Sequence, residues 1–253
     1  MKWIRERVLS GEWLGGTFLN LGSSLTAEIA GKAGFDWLLF DIEHGMGDRQ
    51  ELLTQLQAVE GTPAAPLVRI AWNDPVRFKR VLDLGVSGVM VPMVNSADEA
   101  RRAASAMRFP PEGVRGVARM NRACDFGPSF NDYFKNANSR LLTVVQIETN
   151  AAIESLDEIA AVDGVDVLFV GPLDLSVSLG VPDQFDHPVE QEAVAKVVEA
   201  CRGAGKAAGI LVANEEQLKQ VKALGFTFVA IGSDGGLLVR EMRALVTLLG
   251  KHR

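Results

Sequence analysis

The chain is short of the residues that build redox or soft-metal centres. Among 253 residues there are two cysteines, Cys124 and Cys201. They lie far apart and outside any CxxC pair or Cys/His cluster, which excludes a disulfide framework and a thiolate zinc site. Histidine occurs three times, so imidazole catalysis has three addresses: His44, His187 and His252. Lysine and arginine total 26 against 32 acids, a net charge of −6. No basic run could neutralise successive phosphates, and RFKR at 77–80 reads as the solvated face of a helix, so nucleic acid is not an expected partner. No stretch approaches about 20 uninterrupted apolar residues, so no membrane span is expected. The first seven residues are too charged for a secretory leader, and the cytoplasm is the expected compartment. The G-x-G-x-x-G turn of a dinucleotide fold is absent after the first apolar run.

What is present is a repeated unit. Hydrophobic residues make up 47% and charged residues 23%, ordinary for a globular chain that buries a large core. A short β-rich run, a turn and an amphipathic helical stretch recur along its length. Eight strands are expected, at 14–20, 36–41, 66–70, 88–92, 141–148, 165–171, 207–212 and 226–232. Most are continuous rather than alternating, as parallel strands covered on both faces must be. Helix starts are signalled by Asp74 before Pro75, by Ser96, and by Asn214 before two glutamates; helix ends by Gly34, Gly85 and Gly225. Eight such units predict one (β/α)₈ TIM barrel spanning residues 1–253, with a doubly wound open sheet as the competing topology. The long excursion between strands four and five, Arg108 to Asn138, is expected to lie over the barrel mouth.

In such a barrel the reactive groups stand at the C-terminal ends of the strands. Strand two ends in DIEHG, which brings Asp41, Glu43 and His44 to the rim. A histidine beside two carboxylates is suited to act as a base, although a lone histidine more often serves structure. Arg69 interrupts the apolar run LVRI, and a guanidinium there needs either a neighbouring carboxylate or a substrate oxyanion. Strand five ends in VVQIET, where alternation turns Gln146 and Glu148 to one face. Asp174 follows strand six after a Gly-Pro turn. Two carboxylates from adjacent strands, without sulfur nearby, suit a hard divalent ion such as Mg²⁺ or Mn²⁺ that keeps water or substrate in its open positions. The competing reading makes Asp174 a helix cap. The turn GPLDLS also offers backbone N–H groups to an anion. The Gly-rich turn IGSDGG at 231–236 stands where many barrels hold phosphate, though glycine and serine also simply make turns.

These residues, together with GFDWLLFDIEHG, VRIAWNDP, VPMVNSADEA, PPEGVRGV, VQIET, GPLDLS, GILVANEEQ and FVAIGSD in that order, resemble the HpcH/HpaI aldolases. These are class II pyruvate aldolases that cleave 4-hydroxy-2-oxo acids and sugar-derived 2-keto-3-deoxy acids. The resemblance covers nearly the whole chain. It implies a TIM-barrel lyase releasing pyruvate or hydroxypyruvate and an aldehyde, with Mg²⁺, Mn²⁺ or Co²⁺ and no organic cofactor. By the same resemblance His44 is the general base, Arg69 the transition-state stabiliser, and Asp83 the acid that raises the basicity of the histidine. Gln146 is then a substrate contact, Glu148 and Asp174 are the metal ligands, and Gly171, Leu173 and Asp174 belong to the turn that cradles the substrate carboxylate.

Asp83 falls at the end of a helix just before strand four, toward the floor of its own barrel. It is therefore expected to serve the histidine of another subunit, with Asp41 as the alternative partner within one chain. The family is commonly hexameric with exchanged C-terminal helices, which implies a homo-oligomer exchanging the helix at about 235–250. Alanine is common in the family where Leu173 stands, so the choice between pyruvate and hydroxypyruvate stays open, as does the aldehyde. No lysine stands at an expected strand end, against a Schiff-base mechanism. A citrate-lyase-like or malyl-coenzyme-A-lyase-like enzyme would share the barrel and both carboxylates, but DIEHG argues against it. The presence of His44 and Arg69 argues against a non-catalytic barrel that binds a 2-oxo acid.

Overall fold

The computed structural model describes residues 2–252. Its eight strands are β1 (Leu14–Leu19), β2 (Trp37–Asp41), β3 (Ala65–Arg69), β4 (Gly88–Val91), β5 (Leu142–Ile147), β6 (Val167–Val170), β7 (Ala207–Val212) and β8 (Phe228–Ser233). Each agrees with its expected run to within two residues. The strands pair in parallel in chain order, and β1 closes on β8, giving the (β/α)₈ barrel and excluding the open sheet.

The helices are α1 (Arg5–Leu9), α2 (Ser24–Ala33), α3 (Arg49–Ala58), α4 (Pro75–Leu82), α5 (Ala97–Met107), α6 (Phe130–Arg140), α7 (Asn150–Glu154), α8 (Leu156–Ala160), α9 (Pro172–Ser178), α10 (Pro188–Ala204), α11 (Glu215–Leu224) and α12 (Asp234–Gly250). Their starts follow the sequence signals. Asp74 accepts from the Val76 N–H, Ser96 from Glu99 and Asn214 from Gln217, each satisfying an amide that the helix cannot. Asp48 and Glu51 form a reciprocal capping box on α3.

Alternation within the strands decides what fills the barrel. Leu14, Trp37, Leu39, Leu67, Leu142, Val144, Phe169 and Phe228 form its interior. Trp37 stacks on Phe228 at 4.2 Å between ring centroids. The indole needs the space beside β1, where a Cβ on Gly16 would fall 2.2 Å from it. Carried one step further toward the C-terminal ends, the same alternation reaches Asp41, Arg69, Gln146 and Gly171. The lower layers are apolar and the top layer is polar, so the barrel is a packed core with a chemical surface at one end only.

The excursion after α5 does not cover that end. A helix in this fold runs antiparallel to the strands, so the loop leaving α5 begins beneath the barrel floor. There the Ala123 N–H donates to the Asp83 carbonyl and Arg122 donates to the Leu84 carbonyl. The rest of the excursion is α6, whose Tyr133 packs against Trp3 and Phe109.

The last helix also departs from the barrel pattern. Asp234 anchors its start by accepting from the Asn20 N–H and the Thr26 hydroxyl. Every residue from Gly236 to Gly250 is exposed, including Met242 at 61%, Leu245 at 61%, Val246 at 68% and Leu249 at 63%. Among the described residues no helix is long and apolar enough to cross a membrane.

Candidate active site

A cavity of about 590 Å³ opens at the C-terminal end of the barrel, and Asp41, His44, Arg69, Gln146, Gly171 and Asp174 all border it. Two larger hollows, one between α8 and α10 and one on the floor beside Asp83, lie away from the strand ends.

Arg69 is the hub. Its Nε and Nη2 donate to the two carboxylate oxygens of Asp41 at 2.9 and 2.7 Å, and its Nη1 lies 3.1 Å from Glu43. The bidentate fork on Asp41 fixes the guanidinium plane, and the Phe18 ring lies 5.3 Å beneath it. Arg69 is thus ion-paired to its neighbours, and it also borders the cavity. Gln146 extends the chain, its Oε1 accepting from Arg69 at 3.5 Å and its Nε2 donating to Glu148 at 2.7 Å. It therefore positions both charged groups.

Glu148 lies one layer behind the wall, buried beside Gly171. A Cβ on Gly171 would meet Glu148 Oε2 at 2.6 Å, so only glycine lets the turn pass over this carboxylate. The second oxygen of Glu148 accepts from the Met93 N–H at 2.6 Å. Burial pushes the Glu148 carboxyl up to about 7; the Met93 N–H and the Arg69 charge oppose this, while the charges of Asp174 and Glu43 add to it. Asp41, Glu43, Glu148 and Asp174 thus share one guanidinium and one imidazole, and the site is short of positive charge.

Asp174 does not cap its helix. Gly171 is the N-cap of α9 and supplies no side-chain acceptor. The N–H groups of Leu173 and Asp174, in the first turn, therefore have no acceptor within the helix and stand open at the cavity. The turn after β8 is differently arranged. There the Gly235 N–H is given to the Asp234 carboxylate and the Gly236 N–H to Ser233 Oγ, so both amides are already partnered within the chain.

Three comparisons bear on this geometry. The family model described as HpcH/HpaI aldolase/citrate lyase matches residues 15–240. The 4-hydroxy-2-oxo-heptane-1,7-dioate aldolase of Shigella sonnei is 46% identical over 93% of this chain and 90% of its own length. This chain belongs to the HpcH/HpaI aldolase/citrate lyase family. Among solved structures, an HpcH/HpaI aldolase/citrate lyase family protein from Burkholderia cenocepacia superposes with a TM-score of 0.93 at 36% identity, covering 97% of this chain and 98% of that one. An HpcH/HpaI aldolase from Desulfitobacterium hafniense gives 0.92 at 29% identity, covering 98% and 97%.

Neither carboxylate considered for His44, Asp83 or Asp41, meets its ring within one chain, and Asp83 stands where its place before strand four implied. Asp83 ends α4 on the barrel floor, where Arg115 holds it at 3.1 Å, and His44 stands at the opposite end. Asp41 is not the partner of the His44 ring either, because both its oxygens are committed to Arg69. From His44 it accepts the backbone N–H at 3.3 Å, next to that of Glu43 at 3.0 Å, and the ring Nε2 lies 3.8 Å from Glu43. His187 is accounted for by structure, since its Nδ1 accepts from the Val189 N–H at the start of α10.

Several members of this HpcH/HpaI site were not legible in sequence. Met93 reaches Glu148 because its backbone turns to φ 54, a left-handed conformation that nothing in VPMVN signals. Phe18 reads as ordinary barrel filling. Glu190 borders the cavity, yet in sequence it looks like the acidic first turn of any helix.

Proposed function

We propose that this chain is a divalent-metal-dependent class II aldolase that reversibly cleaves 4-hydroxy-2-oxo acids to pyruvate or hydroxypyruvate and an aldehyde. The observation that carries the reading is the continuous line Asp41–Arg69–Gln146–Glu148 across the ends of β2, β3 and β5, with Asp174 on the next turn. A deficit of positive charge around buried Glu148 fits a cation. Among the described residues no group of three or more His, Cys, Asp or Glu is arranged to hold a metal; Glu148 and Asp174 would hold the ion as a pair and leave positions for water and substrate. When bound, Mg²⁺, Mn²⁺ or Co²⁺ supplies Lewis acidity toward the 2-oxo carboxylate.

The chain's own groups do the rest. The open N–H groups of Leu173 and Asp174 orient the substrate carboxylate. Arg69, immobilised by Asp41, offsets the charge that grows on the pyruvate oxygen as the carbon–carbon bond breaks. His44 takes the proton of the 4-hydroxyl and returns it in the synthetic direction. Among the described residues no lysine borders the cavity, which leaves no amine at hand for a Schiff base. Exhaustive chelation is expected to abolish turnover and added Mg²⁺, Mn²⁺ or Co²⁺ to restore it, while borohydride with pyruvate leaves the enzyme active. Full activity after verified metal removal would sink the metal assignment.

The exposed face of α12 supports a homo-oligomer, a hexamer with exchanged C-terminal helices. An apolar helix standing clear of its own barrel must be covered to stay in water. Leu25 and Ile29, one turn apart on α2 and each 70% exposed, offer a receiving stripe. In such an assembly the floor of one barrel can bring Asp83 to the His44 of a neighbour. Deleting residues 238–253 is expected to lower the mass measured by light scattering and the melting temperature. An unchanged mass would exclude α12 from the assembly.

A further inference from the structure

The cavity continues past the groups used above, outward between the chain leaving α9 and the end of β7. Phe185, Leu211 and Val212 make this lobe apolar, and Asp183 and Glu190 make it acidic. Glu190 occupies the first turn of α10, where a carboxylate ordinarily faces water and complements the helix dipole. Here it is 0% exposed, and neither of its oxygens has a partner. It does not complete a capping box, because the His187 N–H it would accept is given to the Gln184 carbonyl at 2.9 Å. Asn20 Oδ1, also buried and without a partner, borders the same cavity.

A buried carboxyl with no partner is costly enough to demand an explanation. Its position on the wall of a cavity built for substrate supplies one. Burial, with the charge of Asp183 adding, pushes the Glu190 carboxyl up to about 7, so near neutrality it can both donate and accept. Arg240 also borders the cavity, but its side chain is 66% exposed and lies 2.9 Å from Glu241.

We propose that Glu190, with Asp183 beside it, is the specificity-determining subsite for the aldehyde. It takes the hydroxyl groups of a neutral, hydroxylated aldehyde and disfavours one that ends in a carboxylate. The inference rests on the aldolase reading above and refines its substrate class. A hydroxyl both donates and accepts, and so completes Glu190 in either protonation form. A carboxylate brings only acceptors and a further negative charge to the stretch of wall where Asp183 and Glu190 stand, which works against binding there. The substrate in the name of the Shigella relative is a dioate and ends in such a group.

The test compares kcat/KM for aldol addition of pyruvate to glyceraldehyde and to succinic semialdehyde. It uses the full-length enzyme, Glu190→Leu and the isosteric Glu190→Gln. The wild type is expected to favour glyceraldehyde. Glu190→Leu should move the ratio toward succinic semialdehyde by about ten-fold or more, and Glu190→Gln by less, because the amide keeps a donor and an acceptor. Both variants should melt higher than the wild type, since an unpartnered buried acid is removed. Should Glu190→Leu fail to fold, Glu190→Gln decides. Exchange of the pyruvate methyl protons into deuterated solvent, which needs no aldehyde, is the control. Exchange retained with an unmoved ratio overturns the subsite alone; no exchange in the wild type overturns the aldolase reading and the subsite with it.

Discussion

Arg69→Ala is expected to cost roughly 10²- to 10³-fold in kcat/KM and, separately, about 3–5 kcal/mol of folding stability. The two losses have different origins. Activity falls because a fixed cation no longer faces the developing oxyanion. Stability falls because Asp41, 5% exposed, loses both of its Arg69 hydrogen bonds and keeps a buried charge with only the backbone N–H groups of Glu43 and His44 beside it. Glu43 suffers as well: burial already raises its carboxyl above the usual range, and the Arg69 charge is the largest influence holding it down. Arg69→Lys retains the charge but not the planar fork, so it should recover part of the stability and little of the rate. Urea melts and steady-state kinetics on both variants separate these effects. An alanine variant that melts like the wild type would show that the Asp41 fork is not the anchor described.

His44→Ala is expected to lower kcat by about 10²- to 10⁴-fold while leaving the melting temperature nearly unchanged. The contrast with Arg69 follows from exposure. The His44 side chain is 71% exposed and its ring Nε2 lies 3.8 Å from Glu43, beyond hydrogen-bond reach, so removing it breaks no hydrogen bond to that acid. Metal affinity measured by calorimetry should also stay unchanged, because Glu148 and Asp174 carry that task. Turnover within a few-fold of wild type would remove His44 from the chemistry and leave water or Glu43 as the base.

The barrel was legible because one rule produced it eight times. A continuous apolar run of five or six residues followed by an amphipathic stretch has few other ways to bury itself, and each run appears as a strand. The catalytic end was legible for a related reason. In WLLFD and LTVVQI the polar residue interrupts an apolar run at its end, and period-two alternation places Asp41 and Gln146 inward at the top of the barrel. Loop placement was less accessible. The excursion from Arg108 to Asn138 was expected over the barrel mouth by length alone, whereas its side of the barrel is set by whether a helix or a strand precedes it.

The sequence by itself determined the eight-fold order of strands and helices, the helix caps, and which strand ends carry acid, amide and guanidinium groups. Those features depend on neighbours a few residues apart and on a strict period, which the chain states directly. Tertiary structure alone decided that Asp41 is committed to Arg69 rather than to the His44 ring, that Arg115 is the partner of Asp83, and that Glu190 is sealed into the wall of the cavity. Each of these is a contact across tens of residues, set by which faces the closed barrel brings together, and local pattern carries no information about that.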